Sequence, residues 1–212
     1  MQVIVFANGV LNWSERIRDL VRGAELIVAA DGGARHALAA GFIPDVVIGD
    51  FDSSSELDRE RYEQVGARLI SFPSRKDETD LELALDYAVG AGAAEIWILA
   101  ALGGRLDQLI ANVLLLTLPR LRGVSVRIVD GDQEAFLIHD QACVTGCAAD
   151  TVSLLPVGGD AIGVTASGLE WPLQDDTLSF GSTRGVSNVL VGVKASVSLR
   201  AGLLLCVVGH HG

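Results

Sequence analysis

Four short stretches carry acidic residues in a pattern suited to holding a hard cation and a phosphate chain. They read Ala30-Asp31-Gly32-Gly33, Ile48-Gly49-Asp50-Phe51-Asp52-Ser53, Pro73-Ser74-Arg75-Lys76-Asp77-Glu78-Thr79-Asp80 and Leu102-Gly103-Gly104-Arg105-Leu106-Asp107. Asp50 and Asp52 are two apart, so in an extended segment both side chains face the same way. Adding Asp80, with Asp77 as a further candidate, gives several carboxylates that would repel one another unless a cation or Lys/Arg partners stood among them. Magnesium suits such a set, because it takes one or two carboxylates and completes its shell with water and substrate phosphates. The pairs Gly32-Gly33 and Gly103-Gly104 would let backbone N–H groups approach phosphate oxygens. Arg105 and the neighbouring Arg75-Lys76 could offset charge on a transferring phosphate chain. Each residue also has a plainer reading. Asp, Ser and Thr shape turns and cap helices, so Asp31, Ser54 and Thr79 could be structural, and Arg75 and Arg105 could be solvated surface. Recurrence is what argues for chemistry.

That recurrence depends on the elements that precede the four stretches. Short β-branched runs at 3–6, 26–29, 46–48, 68–71, 95–99 and 125–129 alternate with helical patterns at 14–22, 34–40, 54–65, 80–91 and 106–118. Continuous apolar strands separated by amphipathic helices indicate a parallel sheet covered on both faces. Leu81, Leu85 and Ala88 recur at helical spacing, which makes 80–91 the clearest helix. The acidic stretches follow the second to fifth strands, and ligands in open α/β sheets bind beyond the carboxyl ends of strands. Past residue 131 the texture changes to alternating stretches at 151–155, 177–180 and 189–199, broken by Gly, Pro and Asp. The reading is two domains, an α/β, Rossmann-like domain over 1–131 and an antiparallel β-sandwich or barrel over 132–212.

Composition removes several classes. The chain has 212 residues and a formal net charge of −11, which argues against a nucleic-acid partner. Its most apolar run, 109–118, is broken by Asn112 and Thr117 and is too short to span a bilayer. Met1-Gln-Val-Ile-Val-Phe lacks a basic leader and reads as a strand, so a cytoplasmic location is expected. Cys143, Cys147 and Cys206 make no disulfide framework and are expected to be buried thiols. No Gly-x-x-x-x-Gly-Lys-Ser/Thr occurs, and Gly90-Ala-Gly precedes a strand where a dinucleotide fingerprint would follow one.

In order along the chain, Asp31-Gly-Gly, Gly49-Asp-Phe-Asp-Ser, Lys76-Asp-x-Thr-Asp80 and Gly103-Gly-Arg-x-Asp-Gln108 resemble the signature of thiamine pyrophosphokinases. Gly168-Leu-Glu-Trp171 and Arg184-Gly-Val-Ser-Asn188 resemble that family's Gly-Leu-x-Trp and Ser-Asn elements. Arg35 stands where many relatives have Asn. The resemblance implies an ATP-binding catalytic domain followed by a thiamine-binding and dimerisation domain, in a homodimer with active sites at the subunit interface. It implies Asp50, Asp52 and Asp80 as Mg²⁺ ligands, with Asp77 less firmly placed. Asp31, Arg105 and Asp107 would lie around the nucleotide and the transferring group. Gly32, Gly33, Arg75, Lys76, Thr79, Gly103 and Gly104 complete the nucleotide-binding candidates, and Trp171, Ser187 and Asn188 would lie near thiamine. The implied reaction moves the pyrophosphoryl group of ATP onto the thiamine hydroxyl, with Asp80 or Asp107 as candidate base. Two alternatives are another Mg²⁺-dependent kinase or pyrophosphokinase of a small alcohol, and a non-catalytic thiamine or nucleotide sensor.

Overall fold

The computed structural model describes residues 1–51 and 56–211. Asp52, Ser53 and Ser54 lie outside the described residues. The chain forms two compact units, Met1–Gly131 and Asp132–Gly212.

The first unit contains strands β1 (Gln2–Phe6), β2 (Leu26–Ala30), β3 (Val46–Gly49), β4 (Arg68–Ser71), β5 (Glu95–Leu99) and β6 (Ser125–Asp130). Helices α1 (Glu15–Arg22), α2 (Gly33–Ala39), α3 (Glu56–Gln64), α4 (Asp80–Gly90) and α5 (Leu106–Leu115) connect them in turn. The strands pair in parallel in the order β6-β5-β1-β2-β3-β4. The chain therefore winds outward from β1 to β4 and then crosses to the other side of β1, leaving a topological switch point between β1 and β5.

Both faces of this sheet are buried, which is why its central strands are unbroken apolar runs. Ile4, Phe6, Ala29, Val47, Leu99 and Val129 share one core with Ile17 and Val21 of α1, Ala34 and Ala37 of α2, and Tyr62 of α3. The other face takes α4, which packs along β1, β2 and β3 and buries Leu81, Ala84, Leu85 and Ala88 outside that core. Ser14 caps α1 by accepting from the Ile17 N–H at 3.3 Å. Helix α5 stops at Leu115, short of the expected 118. The cause is Pro119, which opens a 3₁₀ turn and holds Leu118 in an extended conformation (φ −58°, ψ 127°).

The second unit is a β-sandwich. Strands β7 (Gln133–Ile138), β8 (Gln141–Thr145), β9 (Thr151–Pro156), β10 (Ala161–Ser167), β11 (Leu173–Leu178), β12 (Asn188–Val189), β13 (Lys194–Ser198) and β14 (Leu204–Gly209) form its sheets. One sheet runs β12-β9-β14-β7 and the other β11-β10-β13-β8, with every pairing antiparallel. Alternate residues point inward, so Val152 and Leu154 meet Leu204, Cys206 and Val208 from one sheet and Val144, Val164 and Val197 from the other. The α/β and antiparallel β classes are those the patterning indicated.

Two details differ from expectation. The stretch 189–199 is not one strand: it divides into β12 and β13 around Gly192, with Val191 and Val193 exposed. Only Cys206 is buried. Cys143 points away from the core beside buried Val144, and Cys147 lies in the loop after β8, so both are exposed. That loop is tied down by Asp150, whose carboxylate accepts from the Cys147 N–H (2.9 Å) and the His211 N–H (2.8 Å) and pairs with His210 Nδ1 (2.9 Å). Burial opposes ionisation of Asp150, but these donors outweigh it and hold the carboxyl at about 2.

Candidate active site

At the carboxyl ends of β1 to β5, the loops enclose a cleft of about 390 Å³. It straddles the switch point between β1 and β5. Asp31, Asp50, Lys76, Thr79, Asp80 and Gly103 line it, along with Asn8, Gly9, Ser74, Glu78, Gln108 and Asn112. Six residues singled out from the sequence therefore meet in one place.

Helix α4 delivers two of them. Thr79 is its N-cap, accepting from the Glu82 N–H at 3.2 Å, so the plainer structural reading of this hydroxyl holds alongside its place in the cleft. Asp80 opens the first turn, and Lys76 Nζ reaches its Oδ1 at 2.8 Å, the side chains being 12% and 25% exposed. Burial raises the Asp80 carboxyl above its ordinary value, Asp50 and Asp31 push the same way by repulsion, and Lys76 pulls against them. Asp31 is buried, and its N–H bonds the Ile48 carbonyl at 2.7 Å. Gly49 makes room for it, since a Cβ there would stand 3.0 Å from Asp31 Cβ.

Several strand ends bordering the cleft are held in the left-handed region without glycine: Asp31 (φ 42°), Phe51 (φ 57°) and Ala100 (φ 54°). Phe51 is fixed by Arg59, which donates to its carbonyl at 2.7 Å and lies over its ring. The β1 loop closes against the β5 loop through Gly9 N–H to the Ala100 carbonyl and Val10 N–H to the Leu102 carbonyl, both 2.7 Å. Only glycine fits at position 9, because a Cβ would collide with those same carbonyls. Asn112 of α5 donates to the Ala101 carbonyl at 2.7 Å and braces the same loop.

Other sequence candidates are not in the lining. Gly32 is the N-cap residue of α2, and Gly33 packs so tightly on β1 that a Cβ would strike the Phe6 carbonyl. Arg75, Asp77 and Gly104 are exposed. Arg105 and Asp107 are exposed and paired with each other, at 2.5 Å (Nη2 to Oδ2) and 3.1 Å (Nε to Oδ1). Hydrogen bonding from Arg105 holds the Asp107 carboxyl below its usual range. Asp52 is outside the described residues. Asn8 and Asn112 were missed by sequence reasoning. The strand-end rule applied to the first strand points to Asn8-Gly9, and Asn112 shows as a polar break in an apolar helix.

In the second unit the two thiamine-side elements meet. Asn188 is buried, and its side chain grips the backbone of Trp171 from both sides. Its Oδ1 accepts from the Trp171 N–H (3.1 Å), and its Nδ2 donates to the Trp171 carbonyl (2.7 Å). Trp171 itself is 57% exposed. Ser187, exposed at φ 61°, hangs on Ser153 through its N–H at 3.0 Å. Gly168 (φ 79°) lets this corner approach β13, where a Cβ would meet the Lys194 carbonyl.

Residues 17–128 match the profile of the thiamin pyrophosphokinase catalytic domain, and residues 140–204 match that of the thiamin pyrophosphokinase vitamin B1 binding domain. The chain is 30% identical over 184 residues to the thiamine pyrophosphokinase of Bacillus subtilis (strain 168), covering 86% of each chain. The chain belongs to the thiamine pyrophosphokinase family. Solved thiamine pyrophosphokinases share its whole fold. That of Bacillus subtilis superposes with a TM-score of 0.88 at 27% identity, covering 100% of both chains. That of Geobacillus thermodenitrificans gives 0.85 at 30% identity, covering 100% of this chain and 99% of its own. The thiamine pyrophosphokinase catalytic-domain match runs from α1 into β6 and takes in the acidic loops after β2 to β5, while the vitamin B1 domain match takes in Trp171, Ser187 and Asn188.

Proposed function

We propose that this chain transfers the pyrophosphoryl group of ATP to the hydroxyl of thiamine, releasing AMP, with Mg²⁺ held at the acidic loops. The observation that carries the reading is the meeting of Asp50, Lys76 and Asp80 in one cleft at the switch point of the sheet.

The donor set fits magnesium. Among the described residues no three His, Cys, Asp or Glu side chains form a ready metal cage. A cation that takes few carboxylates and fills its shell with phosphate oxygens and water needs none. Asp50 and Asp80, with Asp52, would hold it. When bound, it would draw negative charge from the phosphate oxygens and make the β-phosphorus a better electrophile.

Lys76 supplies positive charge on the same wall, and the Asn8-Gly9 and Gly103 loops border the cleft beside it. Arg75, Asp77, Gly32, Gly33, Gly104 and Arg105 would act from beyond the lining. Of the two candidate bases, Asp107 is the poorer, being held ionised by Arg105. The Asp80 carboxyl is raised by burial, which makes it the stronger base of the two. Trp171 offers an indole face to the cationic thiazolium and flat aminopyrimidine of thiamine, with Ser187 and Asn188 around it. The reading includes a homodimer in which these residues serve the partner's cleft, and a cytoplasmic setting where ATP and magnesium are at hand.

The test is incubation of the purified protein with ATP, Mg²⁺ and thiamine, followed by separation of nucleotides and thiamine esters. AMP and thiamine pyrophosphate in equal amounts are expected. ADP would mean a simple kinase, and bound thiamine without product would mean a sensor.

A further inference from the structure

We propose that Lys76 is a built-in counter-cation that keeps a divalent metal off Asp80 until a nucleotide draws the ammonium away. Metal and nucleotide would then be taken up together. The inference rests on the reading of Asp80 as a metal ligand and adds how access to that ligand is controlled.

Four acidic residues line the cleft: Asp31, Asp50, Glu78 and Asp80. Among the described lining residues Lys76 is the only basic one. Its ammonium lies 2.8 Å from Asp80 Oδ1, and both side chains are largely shielded from water. An ammonium on Oδ1 and a divalent ion on the same carboxylate would repel each other across a short distance in a shielded site, so each weakens the other's hold on Asp80.

The two partners differ in freedom. Asp80 is fixed in the first turn of α4, behind the Thr79 cap. Lys76 precedes that helix and carries its charge on a flexible four-carbon stem. The lysine is thus the group that moves. A triphosphate presents more negative charge than one carboxylate and accepts charge-assisted hydrogen bonds, so it is the stronger attractor for the ammonium. Once Lys76 turns to phosphate, Asp80 is released to the metal that the phosphates bring. Nucleotide and metal then favour each other's binding through one swinging side chain.

The test reads metal binding directly, without turnover. Mn²⁺ is titrated into nucleotide-free protein, and free Mn²⁺ is followed by electron paramagnetic resonance. Lys76→Met keeps the stem and removes the charge, and its Kd for Mn²⁺ should fall about tenfold relative to the unsubstituted protein. Lys76→Arg, which keeps the charge, should stay near the unsubstituted value. Lys76→Gln replaces the Met variant if that one fails to fold by circular dichroism. Equal or weaker Mn²⁺ binding by the uncharged variant, with Asp80→Asn still weakening it in the same background, overturns the counter-cation role and leaves the metal site standing. Asp80→Asn without effect in either background overturns the metal site itself, and the inference with it.

Discussion

Asn188 does for Trp171 what an exposed indole cannot do for itself: it fixes the backbone from which the ring projects. The two side chains should therefore fail differently when truncated. Trp171→Ala removes a largely exposed ring, so unfolding stability should change by less than about 0.5 kcal/mol. KM for thiamine should rise roughly 5- to 30-fold, the worth of a partly desolvated cation–π contact. Asn188→Ala leaves the part-buried N–H and carbonyl of Trp171 without partners and should cost about 1–3 kcal/mol in urea unfolding while raising the same KM. Equal stability of the two variants would remove the positioning role of Asn188. A second residue acts through pH. The folded-state value of Asp150, about 2, lies below its ordinary 3.8, so the unfolded chain binds this proton more tightly. The stabilisation is complete above 3.8 and is lost as pH falls toward about 2. Acid titration of Asp150→Asn, monitored by fluorescence, should show a weaker fall in stability across that window than the unsubstituted protein.

At the scale of elements, helix α4 ties stability to chemistry, because the cap that starts it also sets the direction of Asp80. Thr79→Ala should lower stability by about 1 kcal/mol. It should also lower kcat/KM, since the first turn frays where Asp80 sits, whereas Thr79→Ser should restore both in thermal melts and steady-state assays. This helix was legible in the sequence from the spacing of Leu81, Leu85 and Ala88, and the strands of the first unit were legible because burial on both faces writes them as unbroken apolar runs. The second unit was harder to read. Strand β7 has Glu134 on its buried side and Leu137 on the other, β14 has Leu205 and Val207 on its outer side, and β10 is interrupted by register shifts that break its period. The site divided in a similar way. Asp31, Asp50, Lys76 and Asp80 were visible as charges after strands, while Asn8 carries no charge to mark it and Asn112 showed only as a break in an apolar run. Arg105 and Asp107 were equally conspicuous as charges, but at the start of α5 they pair with each other, which the sequence does not distinguish from facing the cleft.

For the whole molecule, the proposed homodimer makes a claim that no single residue can. If Trp171 serves the partner's cleft, two variants impaired at thiamine concentrations well below KM should repair one another under that condition. Asp80→Asn and Trp171→Ala, unfolded together and refolded as an equal mixture, should regain about a quarter of full activity. Half of the dimers would be mixed, and one of the two sites in each would be intact. No recovery, with mixed dimers shown by mass spectrometry, would place both residues in a site built from one chain. Helix α5 bears on the same question, since Leu106, Ile110 and Leu114 form an exposed apolar stripe at helical spacing in the isolated chain.

The left-handed residues at the strand ends have one more consequence, which concerns heat tolerance. Asp31 and Phe51 hold such a conformation beside carboxylates the site needs, but Ala100, buried after β5, supplies only a methyl group and a carbonyl that accepts from the Gly9 N–H. A left-handed alanine costs about 1–2 kcal/mol, more than the roughly 0.5–1 kcal/mol that glycine adds through its looser unfolded chain. Ala100→Gly should therefore raise the thermal midpoint in calorimetry, and a lower midpoint would show that the buried methyl outweighs the backbone. The rim of the cleft would then be a place where a thermostable form could be sought without touching a charge.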